Sequence, residues 1–371
     1  MASRIYVASR KGLLEFGETG GNWAMTRASF VGEPVSAVLA DPRDGTLYAA
    51  LNLGHFGVKL HRSDDRGTTW HELPAPAYPA VPEGKSSNGK GDEKDGPSLT
   101  MIWTLAAGGA DQPGWLWAGT IPGGLFRSTD RGECWTLIDG LWNLPEREQW
   151  FGGGYDEPGI HSVCVDPTDS NRLTLGVSCG GVWISEDAGG SWQLGGAGLR
   201  NEYLPPDMAE TRVLQDVHRL AQCRAAPNVI WCQHHNGIFR TDDGGVNFTE
   251  IETARPSAFG FAVAVHPADP KTAWFVPAVK DECRVPVDQR MVVSRTHDGG
   301  ASFEVVSDGL PEAPSFDLVY RHCLDIDAAG ERLAMGSTTG NFWVGKDGGE
   351  SWALVSTHLP PIAQVAWAPE D

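Results

Sequence analysis

The chain has 371 residues, with 46 Gly, 25 Pro, 15 Trp and a formal net charge of −19. Its 48 acidic against 29 basic side chains leave no cationic surface for nucleic acid or an anionic membrane, and no run of about 18 apolar residues could span a bilayer. Seven cysteines without a Cys-x-x-Cys pair argue against a zinc ribbon or a disulfide framework, and the start MASRIYVASRKGLLEF has no signal-peptide core, so a reduced, cytoplasmic protein is expected.

In chain order, the first unit (4–29) offers three strand-like runs and a degenerate turn motif ending at Trp23, with Glu18 where later copies carry Asp. Full copies follow: Ser63-Asp64-Asp65-Arg66-Gly67-Thr68-Thr69-Trp70, Ser128-Thr129-Asp130-Arg131-Gly132-Glu133-Cys134-Trp135 and Ser185-Glu186-Asp187-Ala188-Gly189-Gly190-Ser191-Trp192. Looser copies span 241–248, 296–303 and 345–352, and the closing aromatics recur every 47 to 65 residues. Before each motif stand short β-rich runs (124–127, 181–184, 237–240), preceded by others (115–118, 229–232) and by inner runs that end in Pro turns at Pro167 and Pro267. Helical periodicity is nowhere sustained. Seven units of about 50 residues predict an all-β, seven-bladed β-propeller of four-stranded antiparallel blades, a single domain over 1–371. The run 362–368 supplies the inner strand that the first unit lacks, so N- and C-terminal strands close the ring in one blade.

The repeated motif resembles the Asp-box, and the chain is similar along nearly its whole length to BNR/Asp-box propellers, a group that includes sialidases, sortilin-type receptors and photosystem II assembly factors. The resemblance implies a structural role for the motif: its Asp accepts backbone N–H bonds in a tight turn, its Gly supplies an unusual backbone angle, and its Trp packs between strands. It also implies either a sialidase-like glycoside hydrolase or an assembly protein without chemistry. Sialidases grip a carboxylate with three arginines and use Tyr with Glu as the nucleophile pair. The Phe-Arg-Ile-Pro type of motif that supplies the first arginine is absent here. Arg284, Arg290 and Arg321 are the substitutes available, and Tyr320 is the one tempting nucleophile.

Long connections gather on the face opposite the motif turns: crossovers near 74–97, 140–159 and 196–216, and the 278–290 connection within blade 6. The segment 74–97 reads as a mobile insertion, with a lid as the alternative. Aligned inner strands place His161, His218 and His322 at one register position, shared with Ser36, Trp103, Phe261 and Ala363. Three imidazoles at the axial mouth suit a divalent transition metal, zinc first and iron or copper next, whereas no nucleotide cofactor is indicated. As rim residues they should be replaceable at little cost to stability.

The expected catalytic groups around them are His234, His235, Lys280, Tyr320 and Arg321. Arg284, Arg290, Glu157, Asp216, Trp103 and Trp150 are expected to bind substrate, with Trp142, Phe151, Tyr155 and Tyr203 as further wall residues. Asp216 or Glu157 would orient a metal ligand from outside. The leading reading is a hydrolase or lyase at the axial mouth, acting on a small anionic or sugar-like substrate. The alternatives are a binding or assembly scaffold and a sialidase-like hydrolase. Cys164, Cys223 and Cys323 read as buried strand residues and Cys134 as a buried turn residue, while Cys179 and Cys283 could face the pocket.

Overall fold

The computed structural model describes residues 3–80 and 96–369; residues 81–95, the heart of the expected 74–97 insertion, lie outside the described set. Seven four-stranded antiparallel sheets form the blades of a propeller. Blade 1 joins Ile362–Trp367 to Arg4–Ser9, Gly12–Thr19 and Asn22–Ser29, the closure expected from the sequence. The inner strands of blades 2 to 7 are Val35–Ala40, Met101–Ala107, Gly159–Val165, Val217–Gln222, Gly260–Val265 and Leu324–Ile326. Each inner strand packs against its neighbours around the ring.

Blades pack face to face, so their middle strands are buried on both sides and read as continuous apolar runs, as in Leu116–Ile121. Trp117, Trp183, Trp231, Trp274 and Trp343 are fully buried wedges between blades. The outermost strands shorten to two residues in blades 3, 4 and 5 and carry polar side chains, so the sheet edges are short.

The motif turns of blades 2 to 6 close on their own side chains. In blade 2 the Gly67 N–H donates to Ser63 Oγ at 2.7 Å and the Thr69 N–H donates to Asp65 Oδ1 at 2.8 Å. The same pair of bonds recurs at Ser128 with Asp130, Ser185 with Asp187, Thr241 with Asp243 and Thr296 with Asp298. The turn places Gly67 at φ 83° in the left-handed region, which is why glycine recurs there. Arginines on the outer strands clasp the next blade's turn: Arg27, on the fourth strand of blade 1, donates to the Arg66 carbonyl (2.6 Å), and from third strands Arg62 donates to Arg131 (3.2 Å), Arg127 to Ala188 (3.1 Å) and Arg295 to Gly348 (2.9 Å).

A second seam runs nearer the axis. The pairing of each of the inner strands of blades 2 to 6 breaks at one place, skipping Ser36, Trp103, His161, His218 and Phe261. These bulges occupy the register position aligned from sequence. A bulge re-aims the extra side chain, and here it points the polar ones along the ring. Ser36 Oγ donates to the Ile102 carbonyl at 2.9 Å, His161 Nε2 to Val217 at 2.7 Å and His218 Nδ1 to Gly260 at 2.7 Å. Each acceptor is the residue just before the next blade's bulge. His322 instead reaches from blade 7 to blade 4, with Nε2 on the His161 carbonyl at 2.8 Å.

His161 is fully buried and its other nitrogen, Nδ1, meets Ser162 Oγ at 3.0 Å, so the expectation of a cheaply replaced rim residue is corrected. His161→Ala should cost about 3 kcal/mol, because it opens a cavity and strands the Val217 carbonyl; urea denaturation reads that loss directly. A second prediction concerns acid. Hydrogen bonds from the Thr69 and Ser302 backbone and hydroxyl groups hold Asp65 and Asp298 at a pKa of about 2. A depressed folded pKa means stability that is complete above the unfolded value near 4 and lost as pH falls towards 2. Asp298→Asn should therefore melt lower at pH 7, and its melting temperature should fall less steeply between pH 4 and pH 2.

Candidate functional site

On the long-connection face, over blades 4 to 6, the crossovers enclose a cavity of about 700 Å³. Phe151, Cys179, Tyr203, Asp216, His235, Phe259 and Lys280 line it, with Glu202, Asp281 and Glu282 at its edge. At its base, strand pairing explains the central group. Val217 of the blade 5 inner strand pairs with His234, so the rung beyond sets Asp216 opposite His235, and the His235 N–H donates to the Asp216 carbonyl at 3.0 Å. Two residues along the strand, the bulge turns His218 back towards Asp216. The result is Asp216 Oδ2 at 3.3 Å from His235 Nδ1 and 3.6 Å from His218 Nε2.

The protonation pattern of this group follows from its neighbours. His218 Nδ1 faces the Gly260 carbonyl and must carry the hydrogen. Burial pushes the imidazole's pKa down, and Asp216 opposes that shift. Burial would raise the Asp216 pKa, but His218, His235 and Arg321 together hold it well below the ordinary range. Nε2 of His218 thus faces an ionised carboxylate, a contact that a proton on the ring or a shared cation completes. The donor atoms of Asp216, His218 and His235 all lie within 4.8 Å of one another. The tautomer-fixing bond to a backbone carbonyl is the usual outer support of a metal-ligating histidine.

The structure distributes the sequence-predicted residues unevenly. His161, His218 and His322 share a register but do not turn their free nitrogens to one point; His218 alone joins the group described above. Asp216, expected as an outer orienter, is its centre. His234 faces the opposite way, packed on Phe239, and burial lowers its pKa to about 3. Lys280 lines the cavity and pairs with Glu282 at 3.5 Å.

The three arginines do not form a clamp. Arg284 is bound to Asp281 at 2.5 Å and Arg290 to Ser307 at 2.8 Å, while Arg321 lies over Trp103 and shares the Phe261 ring with Arg284. Tyr320 packs edge-on against Phe261. Trp150 is a core residue against Trp183, and Trp142 stacks under Arg147, so neither walls the cavity. Glu157 does not line the cavity, and burial, partly offset by Arg147, raises its pKa. Tyr155 packs on Trp103.

Sequence reasoning missed Glu202, Ser257 and Phe259, which come from crossovers and turns without a repeated pattern. Cys179 does line the cavity, but burial and Asp216 push its thiol pKa up, which disfavours a nucleophilic role. Cys134 is exposed rather than buried, because its turn faces solvent.

No protein-family model matches the chain. It is 28% identical over 161 residues to a probable oligoxyloglucan-reducing end-specific xyloglucanase of Neosartorya fischeri, a match covering 42% of this chain and 17% of that protein. It is 25% identical over 156 residues to a xyloglucanase of Hypocrea jecorina, covering 36% and 18%. The chain thus spans under a fifth of the length of these curated relatives. Among solved structures it is similar to an ancestral GH74 enzyme, with a TM-score of 0.57, 15% identity, and 90% of this chain aligned to 38% of that one. It is also similar to YCF48 from Cyanidioschyzon merolae, with a TM-score of 0.53, 12% identity, and coverage of 88% and 87%. These structural likenesses establish a shared propeller fold.

Proposed function

We propose that the protein is a metal-assisted hydrolase or lyase that processes a small, sugar-like molecule in the cavity over blades 4 to 6. The single observation that carries this reading is the convergence of Asp216, His218 and His235, of which Asp216 and His235 line that cavity and His218 is buried behind them. Two imidazoles and a carboxylate suit zinc or ferrous iron, and three protein ligands leave coordination positions open to water and substrate. A bound ion would acidify water and polarise a carbonyl or glycosidic centre.

The chain's own residues supply the rest. Phe151, Tyr203 and Phe259 offer aromatic walls, while Lys280 and Glu202 present charged groups to a ligand. The sugar-like substrate is supported by the xyloglucanase relatives over their matched segments. A scaffold without chemistry would have no need of the cavity's convergent polar groups.

Elemental analysis of protein purified without chelators should find about one equivalent of a divalent transition metal. The metal should be lost in Asp216→Ala and His235→Ala and retained in Arg290→Ala, whose guanidinium is held by Ser307. Turnover of a panel of aryl glycosides and aryl esters should disappear on chelation and return with added zinc or iron. Metal-free wild type, or turnover indifferent to chelation, would refute the reading.

A further inference from the structure

One wall of the cavity holds a hydroxyl whose proton has no strong acceptor in the protein. Tyr203 lies on the crossover from blade 4 to blade 5 and lines the cavity. Its phenol oxygen is 3.1 Å from Asn201 Nδ2, and the same nitrogen is 2.6 Å from the Leu214 carbonyl. A carbonyl can only accept, so the atom facing Leu214 is the amide nitrogen and its second hydrogen goes to the phenol oxygen. Asn201 is fully buried, which fixes that arrangement. The phenol's own hydrogen is left for another partner. Among the described residues the other polar atom in reach is Cys179 Sγ at 3.8 Å, and sulfur is a weak acceptor.

The ring sets this hydroxyl beside the metal-capable group. Tyr203 meets His235 edge-on, with 5.0 Å between centroids and 80° between planes, and His235 Nδ1 lies 3.3 Å from Asp216. Phe259 meets the same imidazole at 5.9 Å and 81°. Tyr203 is 45% exposed while Asn201 behind its hydroxyl is buried, so the ring has a flank open to a ligand and a backing of protein. The carboxylates around the cavity can only accept, and Lys280 is paired with Glu282. Among the cavity's neutral donors, Tyr203 is the one whose ring rests on a member of the Asp216 group.

We propose that Tyr203 is a catalytic residue of this cavity, donating a hydrogen bond to the oxygen that gathers negative charge during ester hydrolysis. The assignment deepens the hydrolase reading, on whose cavity it rests, and names the substrate as an ester of a sugar-like molecule. In that reaction water adds to the ester carbonyl carbon and the C=O π pair moves onto oxygen. That pair then re-forms the carbonyl as the C–OR bond breaks, and the departing oxygen takes a proton from the water, giving acid and alcohol. An oxygen that gathers charge and gives it back suits a donor that keeps its proton, whereas a departing glycosidic oxygen must be handed one. A preorganised neutral donor acts on charge present only in transit, so its effect falls on kcat.

Steady-state hydrolysis of 4-nitrophenyl acetate and of an acetylated methyl glucoside by the wild type and by Tyr203→Phe tests this. The wild type should cleave both esters. Tyr203→Phe should lose about a hundredfold in kcat, with KM moved by less than about threefold. Phenylalanine keeps the ring on His235, so the variant should hold as much metal as the wild type and melt at the same temperature. Methylphosphonate, a tetrahedral oxyanion, should bind the variant about tenfold more weakly in calorimetric titration.

Unchanged kcat, no ester cleavage by the wild type, or unchanged methylphosphonate binding would overturn the assignment. So would a Tyr203→Phe protein that loses its metal or fails to fold, because the hydroxyl would then serve the structure. The two readings separate. A metal-bearing wild type whose chelation-sensitive turnover survives Tyr203→Phe removes this assignment alone. Metal-free wild type whose ester hydrolysis still needs the hydroxyl removes the metal reading and leaves Tyr203 in its role.

Discussion

The hydrogen bond from His218 Nδ1 to the Gly260 carbonyl, 2.7 Å long, carries two duties at once. It stitches blade 5 to blade 6 at the bulge position of the inner strands, where Ser36 and His161 make the corresponding bonds for blades 2 and 4. It also fixes which imidazole nitrogen faces Asp216. A bond between blades therefore orients a ligand atom near the mouth of the ring. His161 has the same seam bond but offers nothing further, because Ser162 occupies its second nitrogen. What separates the two histidines is the residue two positions earlier: Asp216 before His218, Gly159 before His161.

Sequence periodicity carries far in this protein because the blade is a repeating physical object. The motif turn supplies an acceptor for the same backbone N–H groups in blades 2 to 6, so Asp65, Asp130 and Asp187 stand at matching places and the repeat can be read from them. Closure by 362–368 was legible for a related reason: a strand without its unit must complete the unit that lacks a strand. The alignment of His161, His218 and His322 was also legible. Its meaning was not, since a bulge rotates the side chain out of the strand's alternation and no residue pattern announces the bulge.

The cavity itself was legible in outline and obscure in detail. Loop length located the face, and Asp216, His235 and Lys280 were drawn from it. Which of two adjacent histidines in the Gln233-His234-His235-Asn236-Gly237 turn points inward depends on the register Val217 to His234, a long-range pairing invisible to local inspection. Residues such as Phe259 and Glu202 arrive on crossovers whose conformations are set by neighbouring blades. Trp150 and Trp142 show the converse error, because large aromatics on a crossover served the core rather than the site.

The resulting site carries Glu202, Asp281 and Glu282 on its lining and is centred on Asp216 between His218 and His235. Its central claim is spatial. An anomalous-difference map from crystals grown with zinc, recorded on both sides of the zinc edge, tests it directly. The expected result is one peak within coordination distance of Asp216 Oδ2, His218 Nε2 and His235 Nδ1. A peak between His161 and His322, or no peak over the cavity in zinc-saturated crystals, would contradict the account.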